Sequence, residues 1–235
     1  MIYHISYASG KMSKSLDICR ASALRHGCDA TLNIDIDPEF AGHNRHILEQ
    51  PRGAGYWLWK PYIIHRAIMD FTKPGDYIVY TDAGVEFVAN INRIIDEMER
   101  SGEDIFLFGN HYQHRDWCKR EVFDALNCKD GHQVQASAMV FANSENAMYL
   151  VEEWLDQCQH RNQIDDKCGS DQYPGFQEHR HDQAILTAVA QAMGLKLHWW
   201  PAMYNGGAFV YDKGSYTDDY PVIFHHHRKR NDEWT

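Results

Sequence analysis

The feature that most constrains the fold is a short apolar run, Tyr77–Tyr80, which follows a Pro-Gly-Asp turn at 74–76 and leads to Asp82 and Gly84. The run is β-prone and is flanked by helix-like segments, as is typical of a strand that is covered on both faces. Asp82 falls at or just past the carboxyl end of this strand. Because ligands bind outside the carboxyl ends of strands in open α/β sheets, Asp82 is placed to hold a metal ion or a polar substrate. From this stretch alone, a purely structural role in the turn before Gly84 stays open as well.

Strand-like and helix-like segments alternate along the whole chain. Residues 2–7 alternate apolar and polar side chains as a strand does, a helical apolar face follows and ends near Gly27, and 30–36 is typical of a second strand. The alternation continues to a short strand at 222–224, with no internal repeat and no low-complexity linker. This pattern predicts an α/β fold with a mostly parallel central sheet flanked by helices, in one domain over residues 1–235.

The composition argues against several classes of function. With 235 residues, 44% of them hydrophobic, the chain can bury a sizeable core. A formal net charge of -10 argues against a nucleic-acid-binding protein, which needs a basic surface. The N-terminus is too polar for a signal peptide, and no apolar run approaches the roughly 20 residues that span a bilayer, so we expect a cytoplasmic protein. The six cysteines include no C-x-x-C pair, so neither a zinc site nor a disulfide framework is expected.

Two segments before Asp82 carry residues that suit a nucleotide. Residues 8–11 are small and flexible and end in a lysine, which is typical of a turn that faces a nucleotide. Trp57, Trp59 and Lys60 lie in an aromatic string, and aromatic faces suit sugar C–H surfaces while a lysine suits phosphate charge. Packing of the tryptophans in the core is the alternative interpretation. Pro61 predicts that Lys60 lies at a helix N-terminus, where anions bind.

Two later clusters are candidates for catalysis and metal binding. His181, Asp182 and Gln183 stand with Arg180 where a loop enters a predicted helix, and this density of four hydrogen-bonding side chains exceeds what helix capping needs. The alternative is that Asp182 only stabilises the helix N-terminus by its charge. In an extended strand His225 and His227 project to the same side, so both are expected to face one metal ion or one phosphate pair.

Together these motifs resemble the nucleotide-sugar glycosyltransferases of bacterial surface-polysaccharide loci. The resemblance is carried by Gly-Ala-Gly-Tyr-Trp-Leu-Trp-Lys-Pro at 53–61, Gly-Asp-Tyr-Ile-Val-Tyr-Thr-Asp-Ala-Gly at 75–84 and His-Asp-Gln at 181–183, and it spans nearly the whole chain. It implies the single Rossmann-like domain called GT-A. Two polar segments without clear periodicity, near 111–133 and 160–180, are then expected to be loops on the acceptor side.

The resemblance also implies a metal site. In that superfamily an Asp-x-Asp motif binds Mn²⁺ or Mg²⁺, which holds the donor diphosphate; Asp82 matches the first acid, but Gly84 stands at the position of the second. His225 and His227 are the expected further ligands, as a late histidine is in the retaining branch that looks like glycogenin and the lipooligosaccharide galactosyltransferases. Glu86 is the alternative ligand.

The same branch implies the roles of the remaining site residues. Asp182, with His181 and Gln183 beside it, is expected to be the catalytic group, which hydrogen-bonds the donor sugar or stabilises positive charge at its anomeric carbon. The residues expected to bind the donor are Tyr7, Ala8, Lys11, Arg52, Trp59, Lys60, Asp82, Ala83, Ser137, Arg228 and Lys229.

The predicted function is therefore that of a metal-assisted, retaining hexosyltransferase with a nucleoside diphosphate donor, expected to be UDP, in capsule or lipopolysaccharide biosynthesis. The expected partners are this donor and a glycan or lipid-linked acceptor, with no nucleic acid and at most a peripheral contact of residues 228–230 with the inner face of a membrane. Two alternatives are a carbohydrate-binding protein without catalysis and a nucleotidyltransferase on a similar fold.

Overall fold

The computed structural model describes residues 1–8, 10–204, 207 and 209–234. The strands within these residues are β1 (Ile2–Ile5), β2 (Ala30–Leu32), β3 (Tyr77–Thr81), β4 (Val85–Phe87), β5 (Ile105–Gln113), β6 (His132–Ala142), β7 (Leu197–Trp199), β8 (Ala202–Tyr204), β9 (Phe209–Val210) and β10 (Phe224–His226).

The helices connect these strands in the expected alternation. They are α1 (Ser13–Arg25), α2 (Pro38–His43), α3 (Arg45–Leu48), α4 (Gly53–Tyr56), α5 (Trp59–Arg66), α6 (Asn92–Ser101), α7 (Arg120–Ala125), α8 (Glu145–Gln159), α9 (Arg161–Ile164) and α10 (His181–Ala192). A π-helical turn, Ala67–Phe71, continues α5. No helix in the described part of the chain combines the length and apolar character that a bilayer crossing requires.

The central sheet has the order β2-β1-β3-β6-β5-β7 in the described residues. All its strands run parallel except β6, which is antiparallel to both of its neighbours. The start of β6 therefore lies at the same edge of the sheet as the carboxyl ends of β1 and β3, and Thr81 pairs with Ala138. The expected mostly parallel α/β sheet is confirmed, and the reversed strand adds its first residues to the edge where ligands bind.

The core lies on both faces of this sheet. Ile78 and Tyr80 face one apolar layer, built mainly with α5, α8 and α10, while Val79 faces a second layer with α6 and the small sheet. Successive side chains of a strand point to opposite faces, so a strand covered on both sides has an unbroken apolar run. That explains why Tyr77–Thr81 carries no polar alternation.

The second sheet holds the C-terminal part of the chain next to the site. It has the order β4-β10-β8-β9 among the described strands, with β10 between β4 and β8. β4 begins three residues after Asp82, so this sheet brings the segment after β10 back to the carboxyl end of β3.

Several boundaries differ from the sequence predictions. β2 ends at Leu32 instead of continuing to 36, and β5 and β6 are longer than their apolar runs. The segment expected as a loop near 111–133 thus contains the ends of β5 and β6 and the helix α7, and the one near 160–180 contains α9. The extra residues of β5 and β6 pair with each other through register shifts, a tertiary arrangement that periodicity does not reveal.

Candidate active site

A cleft of about 890 Å³ opens at the carboxyl ends of β1 and β3 and the start of β6. It also reaches the first residues of α10 and the segment that follows β10. The predicted site residues that line it are Tyr7, Ala8, Lys11, Arg52, Trp59, Lys60, Asp82, Ala83, Ser137, His181, Asp182, Gln183 and Arg228. Segments that lie far apart in sequence are therefore brought together at this edge of the sheet.

Asp82 lies at the turn that follows β3, as expected. Its backbone N–H donates to the Ser137 carbonyl of β6 at 2.9 Å. The buried Tyr80 hydroxyl donates to Asp82 Oδ1 at 2.6 Å, while the side chain of Asp82 stays 32% exposed. The carboxylate is thus fixed on one side and open to the cleft on the other.

Lys60 links Asp82 to Asp182. Its ammonium lies 3.4 Å from Asp82 Oδ1 and 3.0 Å from Asp182 Oδ2, and it donates to the Ala136 carbonyl at 3.0 Å. Lys60 is only 3% exposed. The buried Asp182 Oδ2 has no hydrogen-bond partner among the described residues, so the contacts of Lys60 with the two carboxylates are ion pairs, and the carbonyl is the acceptor of its hydrogen bond. Its observed partners are carboxylates and a carbonyl.

Asp182 is the second residue of α10 and is buried at 4% exposure. The Trp154 indole N–H donates to its backbone carbonyl at 2.9 Å, which anchors the start of the helix to α8. Burial raises the pKa of Asp182 to about 6, and the neighbouring Lys60 charge opposes part of this rise. A carboxylate that titrates near neutrality in a cleft is a typical candidate for a functional group.

His181 and Gln183 flank Asp182, but their polar atoms bind the protein. His181 Nδ1 donates to the Ile164 carbonyl at 2.7 Å, Nε2 lies 3.2 Å from Asp166, and the ring stacks on Tyr56. Gln183 accepts from the Ala136 N–H at 3.3 Å and donates to Gln133 at 2.7 Å. The geometry thus makes both residues supports for Asp182 and β6.

The turn α4 brings the aromatic string to the cleft through a left-handed backbone. Gly53, Gly55 and the three non-glycine residues 54, 56 and 57 all have positive φ. A Cβ at Gly55 would lie 2.6 Å from the Leu48 Cα, so a glycine is required there. Trp57 and Trp59 line the cleft, and the Trp59 ring is tilted against Tyr7 with centroids 4.6 Å apart. Trp59 is therefore buried, as the packing interpretation expects, and it also borders the cleft, so its contact with a ligand stays a prediction.

The cleft concentrates positive charge in an acidic protein. Its described lining includes Lys11, Arg52, Lys60, Arg180, Arg228 and Arg230, against the two carboxylates Asp82 and Asp182. The whole chain has a formal net charge of -10. Such a local excess of cations is suited to a polyanionic ligand.

The histidines after β10 do not meet the expectation for a metal site. His225 and His227 lie on one side of the chain, with ring centroids 6.0 Å apart, but neither lines the cleft. His225 pairs with Glu86 across the small sheet, and His227 Nδ1 accepts from the Lys229 backbone N–H at 3.0 Å. The side chain that lines the cleft is that of His226. The predicted alternation is correct, but the register of β10 turns the other face of the strand to the cleft.

Lys229 is likewise not part of the cleft lining, and its ammonium lies 4.4 Å from the Trp234 ring centroid. Arg230, which was not among the predicted site residues, lines the cleft beside Arg228. His226 and Arg230 are lining residues with polar side chains that sequence reasoning missed, whereas Gln135 and Arg180 belong to segments that it singled out. β10 ends at His226, and Arg228 has a φ of 56°, so alternation along an extended chain does not reach Arg230.

Asp82 and His226 supply side chains of the types that bind a divalent cation, but they make up only part of a ligand set. Burial and the charge of Arg228 lower the pKa of His226 to about 3, with Asp82 opposing, so the imidazole is neutral. Its Nδ1 is buried and has no hydrogen-bond partner among the described residues. Carboxylate, imidazole and diphosphate oxygens together suit Mn²⁺. The described residues contain no group of three or more His, Cys, Asp or Glu side chains placed to hold a metal, so ligand oxygens have to complete the set.

The two expected acceptor-side loops pack against each other beside the cleft. The Arg180 backbone N–H donates to the Trp117 carbonyl at 3.0 Å, and the buried Lys119 donates to Asp165 at 2.9 Å. The Arg180 guanidinium stacks on the Trp117 ring at 4.3 Å, and Trp117 in turn contacts Tyr112, whose side chain is largely exposed. One wall of the cleft thus continues into a stack of two aromatic rings and one cation, in which Tyr112 is exposed and Trp117 and Arg180 are half-buried.

Comparisons with known proteins identify the fold. No protein-family model matches the chain, and no curated protein matches it. The structure of the bifunctional glycosyltransferase WbbM without ligand is similar at a TM-score of 0.55 and 13% identity, over 97% of this chain and 46% of that chain. The structure of mouse xyloside xylosyltransferase 1 without ligand is similar at a TM-score of 0.48 and 12% identity, over 96% of each chain. This chain spans less than half of WbbM, and at such low identity the likeness establishes the fold alone. The chain therefore has the GT-A type of α/β fold.

Proposed function

We propose that the chain is a glycosyltransferase, which moves a sugar from a nucleoside diphosphate donor to a hydroxyl group of a glycan acceptor. The observation that carries the proposal is the cleft itself, in which six cations surround two carboxylates at the carboxyl end of the sheet of an acidic protein. A diphosphate supplies the negative charge that this lining accepts, and a sugar supplies the polar ring that the carboxylates bind. The resemblance of the motifs and the GT-A fold support the same conclusion.

The donor is proposed to lie between the Tyr7 and Trp59 rings and the basic segment after β10. The aromatic pair offers faces for a base or a sugar. Arg228, Arg230 and Lys11 are exposed cations of the lining and are proposed to bind the diphosphate, whereas the exposed Arg52 is paired with Glu178. A Mn²⁺ or Mg²⁺ ion, when bound, would be held by Asp82 and His226 and would neutralise diphosphate charge. Ala83 and Ser137 border the same space.

Asp182 is proposed to act at the anomeric carbon. When the bond from this carbon to the diphosphate oxygen breaks, the electron pair leaves with the diphosphate and positive charge develops on the sugar ring. A carboxylate held there by Lys60 stabilises that charge. The acceptor oxygen then forms the new bond, and its proton passes to the departing phosphate. Transfer of this kind on one face of the sugar retains its configuration, as in the branch that the motifs resemble.

The acceptor is proposed to lie on the stack of Tyr112, Trp117 and Arg180. Aromatic faces bind the C–H face of a sugar ring, and a guanidinium donates to its hydroxyls. Arg180 belongs to the cleft lining and immediately precedes the catalytic segment. We further propose a UDP-hexose donor and a surface-polysaccharide or lipid-linked acceptor.

A thermal-melt panel tests the proposal. UDP, GDP, CMP and several UDP-sugars are compared, each with Mn²⁺, with Mg²⁺ and with EDTA. A ligand present at 100 times its Kd adds about 2.7 kcal/mol of stability, so a bound nucleotide raises the Tm clearly. The expected result is a shift with one nucleoside diphosphate that Arg228→Gln reduces. No shift with any nucleotide would contradict the proposal.

A carbohydrate-binding protein without catalysis is the second candidate, and Gly84 in place of a second acid favours it. Release of free sugar or transfer product from the donor identified in the panel separates the two functions. An enzyme turns the donor over and loses that turnover in Asp182→Asn. A binding protein binds glycan without consuming donor.

A further inference from the structure

Lys60 is a buried cation located where the two carboxylates of the cleft converge. Its ammonium forms ion pairs with both Asp82 and Asp182, and it donates a hydrogen bond to the Ala136 carbonyl. Tyr80, which is also buried, donates to the same Asp82 oxygen that Lys60 approaches. The positive charge of this lysine therefore lies between the two carboxylates.

This arrangement opposes the binding of a metal ion by the free protein. Two carboxylates that face each other without a cation attract a divalent ion, whereas a fixed ammonium within 3.4 Å of both repels one. The side chains left for a metal are the open part of Asp82 and the neutral His226. No cluster of three or more typical ligand side chains exists in the described part of the chain.

We propose that Lys60 is a built-in counter-cation for Asp82 and Asp182, so that the cleft binds a divalent cation only together with a diphosphate. The lysine holds the carboxylates in place before the donor arrives, and the diphosphate oxygens then complete a ligand set that the protein lacks. The requirement for a diphosphate rests on the proposed function. The pairing of Lys60 with the two carboxylates and its effect on metal binding concern the free protein alone.

Direct Mn²⁺ titration of the purified chain, followed by the electron paramagnetic resonance signal of free Mn²⁺, tests the inference. Without nucleotide, the wild-type protein is expected to leave Mn²⁺ free up to millimolar concentration. Lys60→Met is expected to bind Mn²⁺ without nucleotide at least about tenfold more tightly, because a repelling charge next to both carboxylates is gone. The double variant Lys60→Met/Asp82→Asn should lose this gain.

Lys60→Arg serves as the charge-retaining comparison in the nucleotide-free titration, where the folded variant is expected to leave Mn²⁺ free, as the wild type does. Tight Mn²⁺ binding by the wild-type protein alone would overturn the proposal even if Lys60→Met fails to fold. A folded Lys60→Met protein without any gain in Mn²⁺ affinity would overturn it as well. Adding UDP or GDP to the wild-type titration tests the nucleotide dependence. If neither binds in the thermal panel, the proposed function fails, while the nucleotide-free titration still decides the role of Lys60.

Discussion

At the scale of single residues, the site depends on which groups its buried charged side chains pair with. In the sequence Lys60 stands before Pro61, which suggested a phosphate ligand. In the folded chain its ammonium forms ion pairs with Asp82 and Asp182. A buried lysine without such partners carries a large desolvation cost. The pairing explains how a lysine, two aspartates and the apolar layer around Tyr80 coexist at the carboxyl end of β3.

The first prediction concerns pH. If Asp182 acts as a carboxylate, turnover is lost as the pH falls through its pKa, which burial raises to about 6. We therefore expect kcat/KM for the donor, which reports the free enzyme, to have an acid limb near pH 6 and to be level above it. Asp182→Asn should lower the rate by about 10²–10³-fold. The measurement is donor turnover between pH 5 and 8, and a profile that is level across this range would contradict the assigned role.

The second prediction concerns Gly84, which stands at the position of the second acid in Asp-x-Asp. A Cβ there would lie 3.1 Å from the Arg228 Cα and 3.4 Å from its N, so the glycine lets the basic segment pass close to Asp82. Gly84→Asp, which restores the motif, is expected to lower stability by about 1–3 kcal/mol and to weaken nucleotide binding.

Urea unfolding and nucleotide titration measure these effects. The matched control is Gly42→Ala in α2, where a Cβ meets nothing within 4 Å and the φ is negative or extended. This change should be neutral or slightly stabilising. Tighter nucleotide binding by Gly84→Asp would show that the segment around Arg228 is not held in place by the close approach.

At the scale of elements, the site depends on one reversed strand and one unusual turn. β6 runs against its neighbours, so Gln135, Ala136 and Ser137, in the first half of the strand, lie at the edge that β3 reaches with its end. The left-handed turn α4 sets the position of α5 and hence of Lys60. Positive φ at three non-glycine residues costs energy, which the packing of the surrounding residues has to balance.

The third prediction tests that turn. Gly55→Ala introduces a Cβ 2.6 Å from the Leu48 Cα at a φ of +95°, whereas Gly75→Ala has a similar φ of +91° and nothing within 4 Å. We expect Gly75→Ala to cost about 1 kcal/mol from backbone strain alone and Gly55→Ala to cost clearly more. Urea unfolding gives both free energies, and nucleotide affinity should fall in Gly55→Ala alone. Equal costs would mean that the contact with Leu48 relaxes freely.

At the scale of the whole molecule, charge is separated between a basic cleft and an acidic remainder. The formal net charge is -10, yet the described cleft lining has four more cations than carboxylates. The negative surface repels free nucleotides at long range, and the cleft attracts them at short range. Both effects are screened by salt.

The fourth prediction follows from this separation. The Kd of the bound nucleotide should rise steadily with NaCl concentration, and Arg228→Gln should raise it about tenfold because one charge-assisted hydrogen bond is lost. The matched control is Arg100→Gln, which removes an exposed cation of α6 outside the cleft and should leave the Kd unchanged. Isothermal titration at several salt concentrations provides the data. An equal effect of both variants would indicate a response to net charge without a specific site.

Particular residues show how much of the fold and of the site the sequence predicts. The apolar run of β3 and the alternation with amphipathic helices predicted the α/β class and placed Asp82 at a strand end. The place of Asp182 in the first turn of α10 was also predicted, because start signals of helices are local. His225 and His227 were assigned to the wrong face for the cleft, since alternation gives two faces but does not say which one a neighbouring sheet turns toward the site.

The sequence by itself therefore determined the layered fold and the residues at the strand and helix ends, because those depend on local periodicity and turn chemistry. The tertiary structure alone decided that β6 runs antiparallel, that His226 and Arg230 line the cleft in place of His225 and Lys229, and that Lys60 joins two carboxylates 22 and 122 residues away along the chain. These depend on strand register and on which buried charges meet, and both are set by contacts between distant segments.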